Sequence, residues 1–403
     1  MVLGRAMGSQ LRALMAKECV ALPGAYNGLV ARLVAIHGFK GAYFSGGALS
    51  ASSGIPDIGL TSLDQFSSRI KEVVSVSNLP FIADADTGFG EAEMVRKTVE
   101  EYCWAGAAGL HIEDQVFPKR CGHLDGKALV PVDVFVEKVE RAAEAAQRCS
   151  NGEFIICART DAAGVPGEGL QKAIERATAY VAAGADMIFP EGLQSEEDFR
   201  SFAIAMKKLK GPAPDGGPFL LANMTEFGKT PYLTLKEFQG LGYHCVIYPV
   251  STLRAAMKGV DECLQTLKDT GSLESFLPRM QTRKELYESM SYAPLEEWKY
   301  PPGAEQHIAT RFDVMAESIQ SKSYVDAAKP KTKIQIRFHD GTRKAQEFNE
   351  DHTVGDLRAF CAQCVGGQAM TIMGGFPPKP IADDQLTLKD AGLLNAAVTV
   401  KPA

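Results

Sequence analysis

The residues of this 403-residue chain that could do chemistry fall into two groups. In the first, Asp84 and Asp86 stand one residue apart ahead of Gly88 and Gly90, with Asp57 and Glu113 as further acids. Carboxylates are hard oxygen donors, and this set suits Mg2+, or Mn2+, with several waters retained. Both aspartates can turn onto one ion where a strand gives way to a loop; the plain alternative is a set of solvated loop acids. The second group is Lys119-Arg120-Cys121-Gly122-His123. Two cations and a histidine around one thiol lower its pKa, and the glycine keeps it accessible. A thiol so placed can act as a general acid or base toward a carbon centre, with His123 at its side. Here the plain alternative is a basic loop with an incidental cysteine.

Such groups need a frame that brings distant segments together. Short apolar runs at 20–23, 41–45, 80–83, 109–112, 154–158, 186–189, 219–222 and 245–248 alternate with stretches of 3.6-residue periodicity, among them 91–105, 132–147 and 170–183. Ala-Gly-Ala at 105–107 and again at 183–185 reads as a helix C-cap feeding a buried strand. Eight alternations without an antiparallel hairpin signal predict an α/β fold, a TIM-type (β/α)8 barrel with a C-terminal helical extension, over residues 1–295. Ser45, Asp84, Glu113, Arg159, Glu191, Asn223 and Arg254 all fall at or just after the apolar runs. The C-terminal ends of barrel strands are the face where catalytic groups converge.

Near residue 295 the texture changes. Pro301-Pro302-Gly303 interrupts the pattern, 305–325 reads as an exposed helix, and 296–331 forms a helical and linker segment. A new unit spans 332–403: Ile334, Ile336 and Phe338 alternate with polar residues, Asp340-Gly341 makes a hairpin turn, and 346–349 returns as a second strand. Thr353 or Asp351 caps a helix over 354–364, and 371–373 and 398–400 supply later strands. This is a small ubiquitin-like β-grasp pattern.

Lys and Arg number 43 against 49 Asp and Glu, a net charge of −6. No chain-wide basic surface recruits nucleic acid or acidic lipid, and no apolar run approaches the roughly 18–20 residues of a membrane span. An anionic substrate must be held by a few local cations and a metal. Nine scattered cysteines in a long chain argue for reduced thiols inside a cell. The lone Cys361-x-x-Cys364 reads as a helix face rather than a zinc or redox site. Arg5, Arg12 and Lys17, with no acid within residues 1–17, raise a mitochondrial presequence; Leu11, Leu14 and Met15 fit instead the first amphipathic helix of the barrel. The cytoplasm is the expected compartment and the mitochondrial matrix the alternative.

Asp84-Ala-Asp-Thr-Gly-Phe-Gly90, His111-Ile-Glu-Asp-Gln115, the Lys119–His123 pentad, Ala158-Arg-Thr-Asp-Ala162 and Asn223-Met-Thr-Glu-Phe-Gly228 together resemble the isocitrate lyase/phosphoenolpyruvate mutase superfamily. Within it they resemble the 2-methylisocitrate lyases, from about Gly4 to Tyr292. The resemblance implies cleavage of 2-methylisocitrate to pyruvate and succinate. It implies that Asp84 contacts Mg2+ directly, with Asp57, Asp86 and Glu113 helping mostly through water, and that Ser45, Gly46 and Gly47 bind a carboxylate. Arg120, Gly122, Arg159, Glu191, Asn223, Thr225 and Arg254 would hold and orient the substrate, Tyr43 would handle its hydroxyl proton, and Cys121 would protonate the succinate carbanion. A mutase transferring phosphorus needs no such donor. Phe189, Ile247 and Pro249 fall where an apolar niche receives the extra methyl, and one methyl is worth about 1–3 kcal/mol of discrimination. Isocitrate, dimethylmalate and oxaloacetate are the other substrates that the superfamily offers. It also implies a homotetramer that swaps a C-terminal helix, here over 273–290.

Thr332-Lys-Ile-Gln-Ile-Arg337, Asp340-Gly341, Gly375-Phe-Pro377 and Thr387-Leu-Lys-Asp-Ala-Gly-Leu-Leu-Asn395 resemble a UBX domain, the ubiquitin-like module of adaptors for the AAA ATPase valosin-containing protein. That resemblance implies docking through Arg337, Phe376 and Pro377, although Pro378 stands where many members carry arginine. A β-grasp appendage that only packs on the barrel is the alternative. Two readings follow: an active lyase with a recruiting tail, or an ATPase adaptor with an inactive barrel. The intact acids, cysteine loop and arginines favour the first.

Overall fold

Runs of β-branched and aromatic residues set eight short strands, because such side chains fit a pleated surface buried on both faces. In the computed structural model, which describes residues 3–120, 122, 126–302, 325, 326, 328–339, 342–364, 370–375 and 378–402, these are β1 (Val20–Pro23), β2 (Ala42–Phe44), β3 (Phe81–Asp84), β4 (Gly109–Glu113), β5 (Ile155–Thr160), β6 (Met187–Pro190), β7 (Phe219–Asn223) and β8 (Cys245–Tyr248). All pair in parallel, in the order β1-β8-β7-β6-β5-β4-β3-β2. Between β1 and β2 the ring is completed by one bridge, Gly24 to Tyr43, so the barrel is nearly closed. Each strand lies within a few residues of its expected place.

The helices are α1 (Leu3–Met15), α2 (Gly28–Ile36), α3 (Gly46–Ser52), α4 (Leu63–Ser77), α5 (Ala92–Trp104), α6 (Val132–Ser150), α7 (Gly169–Ala182), α8 (Glu196–Lys207), α9 (Leu235–Gly240), α10 (Ser251–Thr270) and α11 (Arg283–Ser289). Several begin where a side-chain oxygen takes a free first-turn amide: Asn27, Ser45, Ser62, Ser195 and Thr234 each do so. Two apolar layers result. Outside the ring, Phe44, Phe66, Tyr102, Phe135, Tyr180 and Phe199 fill the space between strands and helices. Inside it, Leu22, Ile82, Ile155, Met187, Phe189 and Leu221 meet Met7, Leu11 and Met15 of α1. The apolar face of α1 thus belongs to the barrel core, which fits the amphipathic-helix reading of the N-terminus.

The stretch 273–290, expected as a single helix, is a 3-10 segment (Glu274–Arg279) followed by the short α11. Pro278 lies within it and lacks the amide that a continuous helix would use. The long C-terminal helix of the barrel is α10, along which Met257, Val260, Leu264 and Leu267 are exposed. Among the described residues no helix is long and apolar enough to cross a membrane.

The chain divides into two units, Met1–Ala309 and Thr310–Ala403. The second holds β9 (Lys331–Arg337), β10 (Arg343–Asn349), α12 (Val354–Cys364), β11 (Met370–Gly374), β12 (Lys379–Pro380) and β13 (Ala397–Pro402). Its sheet order is β10-β9-β13-β11-β12, with β9 and β13 parallel and the other pairs antiparallel. In β9 the buried Thr332, Ile334 and Ile336 alternate with exposed Lys331, Lys333, Gln335 and Arg337, and the buried face meets Leu357, Phe360 and Cys361 of α12. Thr353 caps that helix, exchanging hydrogen bonds with Asp356. Burial pushes the Cys361 thiol up to about 12, as befits a core residue on a helix face. The expected turn at Asp340-Gly341, residues 305–324 of the expected helix, and Phe376 and Pro377 lie outside the described residues.

Candidate active site

Strand register places the charged residues side by side. β4 and β5 pair Glu113 with Arg159, and β5 and β6 pair Arg159 with Phe189. Arg159 is the hub: its guanidinium meets Asp161 at 2.9 and 3.0 Å, Glu113 at 3.3 Å and Glu191 at 3.6 Å, and lies 5.1 Å above the Phe189 ring. The two Asp161 bonds form the planar fork that suits a guanidinium. Lys127 reaches the same carboxylate at 3.0 Å. Burial would raise the Asp161 carboxyl, but Arg159 and Lys127 hold it at about 2. Glu191, one residue past β6, accepts from Asn223 at the end of β7 at 3.0 Å.

The acid corner forms where β3 ends. Asp84 is its last residue, and Asp86 takes φ +46°, a left-handed turn that brings the second carboxylate round. The Asp86 amide donates to Asp84 Oδ1 and the Gly46 amide to Asp84 Oδ2, both at 3.0 Å. A Cβ at Gly46 would stand 2.9 Å from that oxygen, so glycine permits the approach. Lys119 enters the corner: its ammonium lies 2.5 Å from Asp57 and 2.7 Å from Asp86. Burial raises Asp86 to about 6 against the pull of Lys119, and raises Glu113 well above the usual range despite Arg159 and Lys119. Asp84 ends below its ordinary value, because His111, Lys119 and Arg159 outweigh its burial.

These residues fit a divalent cation. Buried carboxylates outnumber the cations that face them, Glu113 Oε1 is buried without a hydrogen-bond donor, and every available donor is a hard oxygen. Among the described residues no three acidic, histidine or cysteine side chains already converge as a metal cluster. The Lys119 ammonium instead stands between two of the acids.

A cavity of about 290 Å³ opens above this corner, lined by Tyr43, Ser45, Gly47, Asp57, Asp84, Lys119, Arg120, Gly122, Arg159, Phe189, Glu191, Asn223, Thr225, Ile247, Pro249 and Arg254, among others. Tyr43 bonds His111 Nε2 at 2.8 Å, and that nitrogen lies 3.8 Å from Asp84. Burial holds His111 down at about 4; burial and then Asp84 hold Tyr43 well above its ordinary value. Phe189, Ile247 and Pro249 form the apolar part of the wall. Arg254, half exposed on α10, bonds the Glu226 carbonyl and stands 5.3 Å over Phe227. A larger cleft of about 810 Å³, lined by Leu60, Phe89, Met94 and Phe117, contains none of the acids of the corner.

The family model for phosphoenolpyruvate phosphomutase matches residues 11–268. The chain belongs to the phosphoenolpyruvate mutase/isocitrate lyase family. A second family model, the UBX domain, matches residues 326–402, so the chain also carries a UBX domain. "Probable 2-methylisocitrate lyase 1" of Corynebacterium glutamicum is 50% identical over 289 residues, covering 72% of this chain and 90% of the relative. The 2-methylisocitrate lyase of Bacillus subtilis is 44% identical over 291 residues, covering 72% and 91%. Among solved structures, 2,3-dimethylmalate lyase superposes with a TM-score of 0.65 at 34% identity, over 70% of this chain and 91% of that one. Phosphonopyruvate hydrolase with oxalate and Mg2+ does so with a TM-score of 0.62 at 30% identity, over 72% and 95%. The first unit is a carbon–carbon lyase of this superfamily.

For this lyase, most residues singled out in the sequence come together at one cavity. Gly46, Asp86 and Glu113 sit just behind its wall rather than on it; Gly46, expected to bind a substrate carboxylate, has its amide on Asp84. Cys121 and His123 lie outside the described residues. Sequence reasoning assigned no task to His111, Lys127, Asp161 or Glu226. His111 and Asp161 fall inside quoted motifs and could have been weighed; Lys127 carries no periodic or motif signal. Gln115 was likewise missed, although its side chain holds both the amide and the carbonyl of Arg120, each at 2.9 Å.

Proposed function

We propose that the protein cleaves 2-methylisocitrate to pyruvate and succinate with the help of a bound Mg2+ or Mn2+. The supporting observation is a single cavity that brings a buried arginine and surplus carboxylates together with the apolar Phe189, Ile247 and Pro249. Asp84, with Asp57, Asp86 and Glu113, would hold the cation, mostly through water; once bound it stabilises negative charge on the oxo-acid oxygen. Ser45 and Gly47 bind one substrate carboxylate; Arg120, Gly122, Arg159, Glu191, Asn223, Thr225 and Arg254 orient the rest. Tyr43 accepts the hydroxyl proton and, being held as a phenol, passes its own toward His111. As the alkoxide collapses to the ketone of pyruvate, the carbon–carbon bond breaks and its electron pair stays on the succinate carbon. Cys121 protonates that carbon, its acidity set by Lys119, Arg120 and His123.

The remaining parts of the reading concern assembly. The exposed apolar stripe of α10 supports a homotetramer with exchanged C-terminal helices. The UBX domain is assigned to docking on a valosin-containing-protein-type AAA ATPase through Arg337, Phe376 and Pro377. Residues 1–295, 296–331 and 332–403 are taken as lyase, connecting segment and docking domain, and the cytoplasm as the compartment. The test is Mg2+-dependent formation of pyruvate from 2-methylisocitrate, run beside isocitrate, with Cys121→Ser as control. Pyruvate formed by the wild type and lost in the variant supports the reading. Glyoxylate from isocitrate moves the substrate, and no turnover by folded protein returns the adaptor reading.

A further inference from the structure

Lys127 is a charged residue that the proposed reaction leaves without a task. Its side chain is 1% exposed, and it is not among the residues lining the cavity. The ammonium has two partners from different parts of the chain: Asp161 Oδ1 at 3.0 Å and the main-chain carbonyl of Gly122. Gly164 leaves room for it, since a Cβ there would lie 3.0 Å from Nζ. Asp161 is itself anchored. Its amide donates to Asp114 Oδ1 at 3.0 Å, and the other Asp114 oxygen accepts from Tyr180 of α7 at 2.8 Å. A line of buried polar bonds therefore runs from α7 through the ends of β4 and β5 to the Gly122 peptide.

That peptide is pressed onto the substrate-binding wall. A Cβ on Gly122 would lie 2.5 Å from Arg159 Nη2 and 2.5 Å from Glu191 Cγ. It is also the chain neighbour of Cys121. Burying an ammonium costs several kcal/mol of lost hydration unless well-aligned partners offset it. Here the partners are one carboxylate shared with Arg159 and one loop carbonyl, so the group serves the protein's own geometry rather than a ligand.

We propose that Lys127 is a positioning residue: braced by Asp161, its ammonium latches the Gly122 carbonyl and so holds Gly122, the chain neighbour of the candidate acid, against the wall formed by Arg159 and Glu191. The catalytic part of this rests on the reading of Cys121 as proton donor. A misplacement of about 1 Å at a reacting group costs on the order of a hundredfold in rate. Arg159 keeps Asp161, Glu113 and Glu191 when Lys127 is lost, so substrate binding should be spared.

The experiment compares full-length wild type, Lys127→Met and Lys127→Arg in two measurements. The first is steady-state turnover of 2-methylisocitrate with Mg2+; kcat is expected to fall about 100-fold in the methionine variant while KM stays within about threefold. Lys127→Arg keeps the charge that Asp161 requires but not the shape; should the methionine variant not fold, it carries the test with an expected loss of about tenfold in kcat. The second is the rate of Cys121 alkylation by iodoacetamide in Mg2+-free protein, mapped by mass spectrometry, which is expected to change about fivefold or more. A kcat within threefold of wild type in a folded variant, a loss confined to KM, or an unchanged alkylation rate overturns the proposal. If Cys121→Ser proves fully active, it is the proton-donor reading that fails, and the alkylation comparison alone decides the latch.

Discussion

Replacing Asp161 by asparagine removes one charge from a site where two buried cations meet it. The carboxylate takes two bonds from Arg159, at 2.9 and 3.0 Å, and one from Lys127 at 3.0 Å. Its carboxyl, ordinarily at 3.8, is held at about 2 by those cations in spite of burial. At about 1.4 kcal/mol per unit this corresponds to about 2 kcal/mol of stability at neutral pH. Asparagine is neutral, so both cations lose this counter-charge: Arg159 keeps Glu113 and Glu191, while Lys127 is left with the Gly122 carbonyl; breaking a buried pair costs about 3–5 kcal/mol, and the remaining contacts of Arg159 place this loss toward the lower end. Because the folded pKa lies below the unfolded one, the contribution is complete above about pH 5, about half remains at pH 3, and the rest is lost as the pH falls through about 2. Urea unfolding of the barrel, followed in metal-free buffer for both proteins from pH 6 to pH 3, should show the gap between them narrowing by about 1 kcal/mol. A gap that stays constant or widens as the pH falls would refute the assignment of Asp161 as a charged brace.

Gly122→Ala places a methyl 2.5 Å from Arg159 Nη2 and Glu191 Cγ; kcat/KM for the lyase reaction should drop about 100-fold with little change in melting temperature. A variant within threefold of wild type would mean that the loop does not approach Arg159 during turnover. Glu113 is raised above its unfolded value by burial, so its ionisation opposes folding at neutral pH. Glu113→Gln should therefore leave metal-free stability unchanged or higher, yet weaken Mg2+ binding about tenfold or more, read as a smaller Mg2+-induced rise in melting temperature; equal rises in both proteins would remove Glu113 from the metal set. Leu357→Ala, at the wholly buried centre of the UBX core, should cost about 2–5 kcal/mol. Calorimetry should show one transition lowered while lyase kcat holds, and a shift of every transition together would argue against two independently folding units.

Much of the architecture is readable without coordinates because its causes are local. Short apolar runs bounded by glycine or proline sit in the barrel wall, helix starts at Ser62 and Thr234 carry their own capping residues, and alternation in β9 divides buried from exposed faces. Polar residues that follow strands had to meet at one rim once the strands formed a barrel, which is why Asp84, Glu113, Arg159, Glu191 and Asn223 could be grouped in advance. The placement of 273–290 as one helix, taken from the family resemblance, ran past a local signal, Pro278.

The division of labour among the charges was decided only in three dimensions. Nothing in the chain says that Lys119 pairs with Asp57 and Asp86, that the Gly46 amide goes to Asp84, or that Lys127 turns inward to a carbonyl of its own loop. Residue type sets what a group can donate or accept. Whether it spends that capacity on water, on a neighbour or on a ligand depends on which groups lose solvent together, and that is a property of packing between segments far apart in the chain. Sequence alone therefore determined the barrel, the β-grasp unit and the rim at which the polar residues gather; the tertiary structure decided which buried carboxylate pairs with which cation.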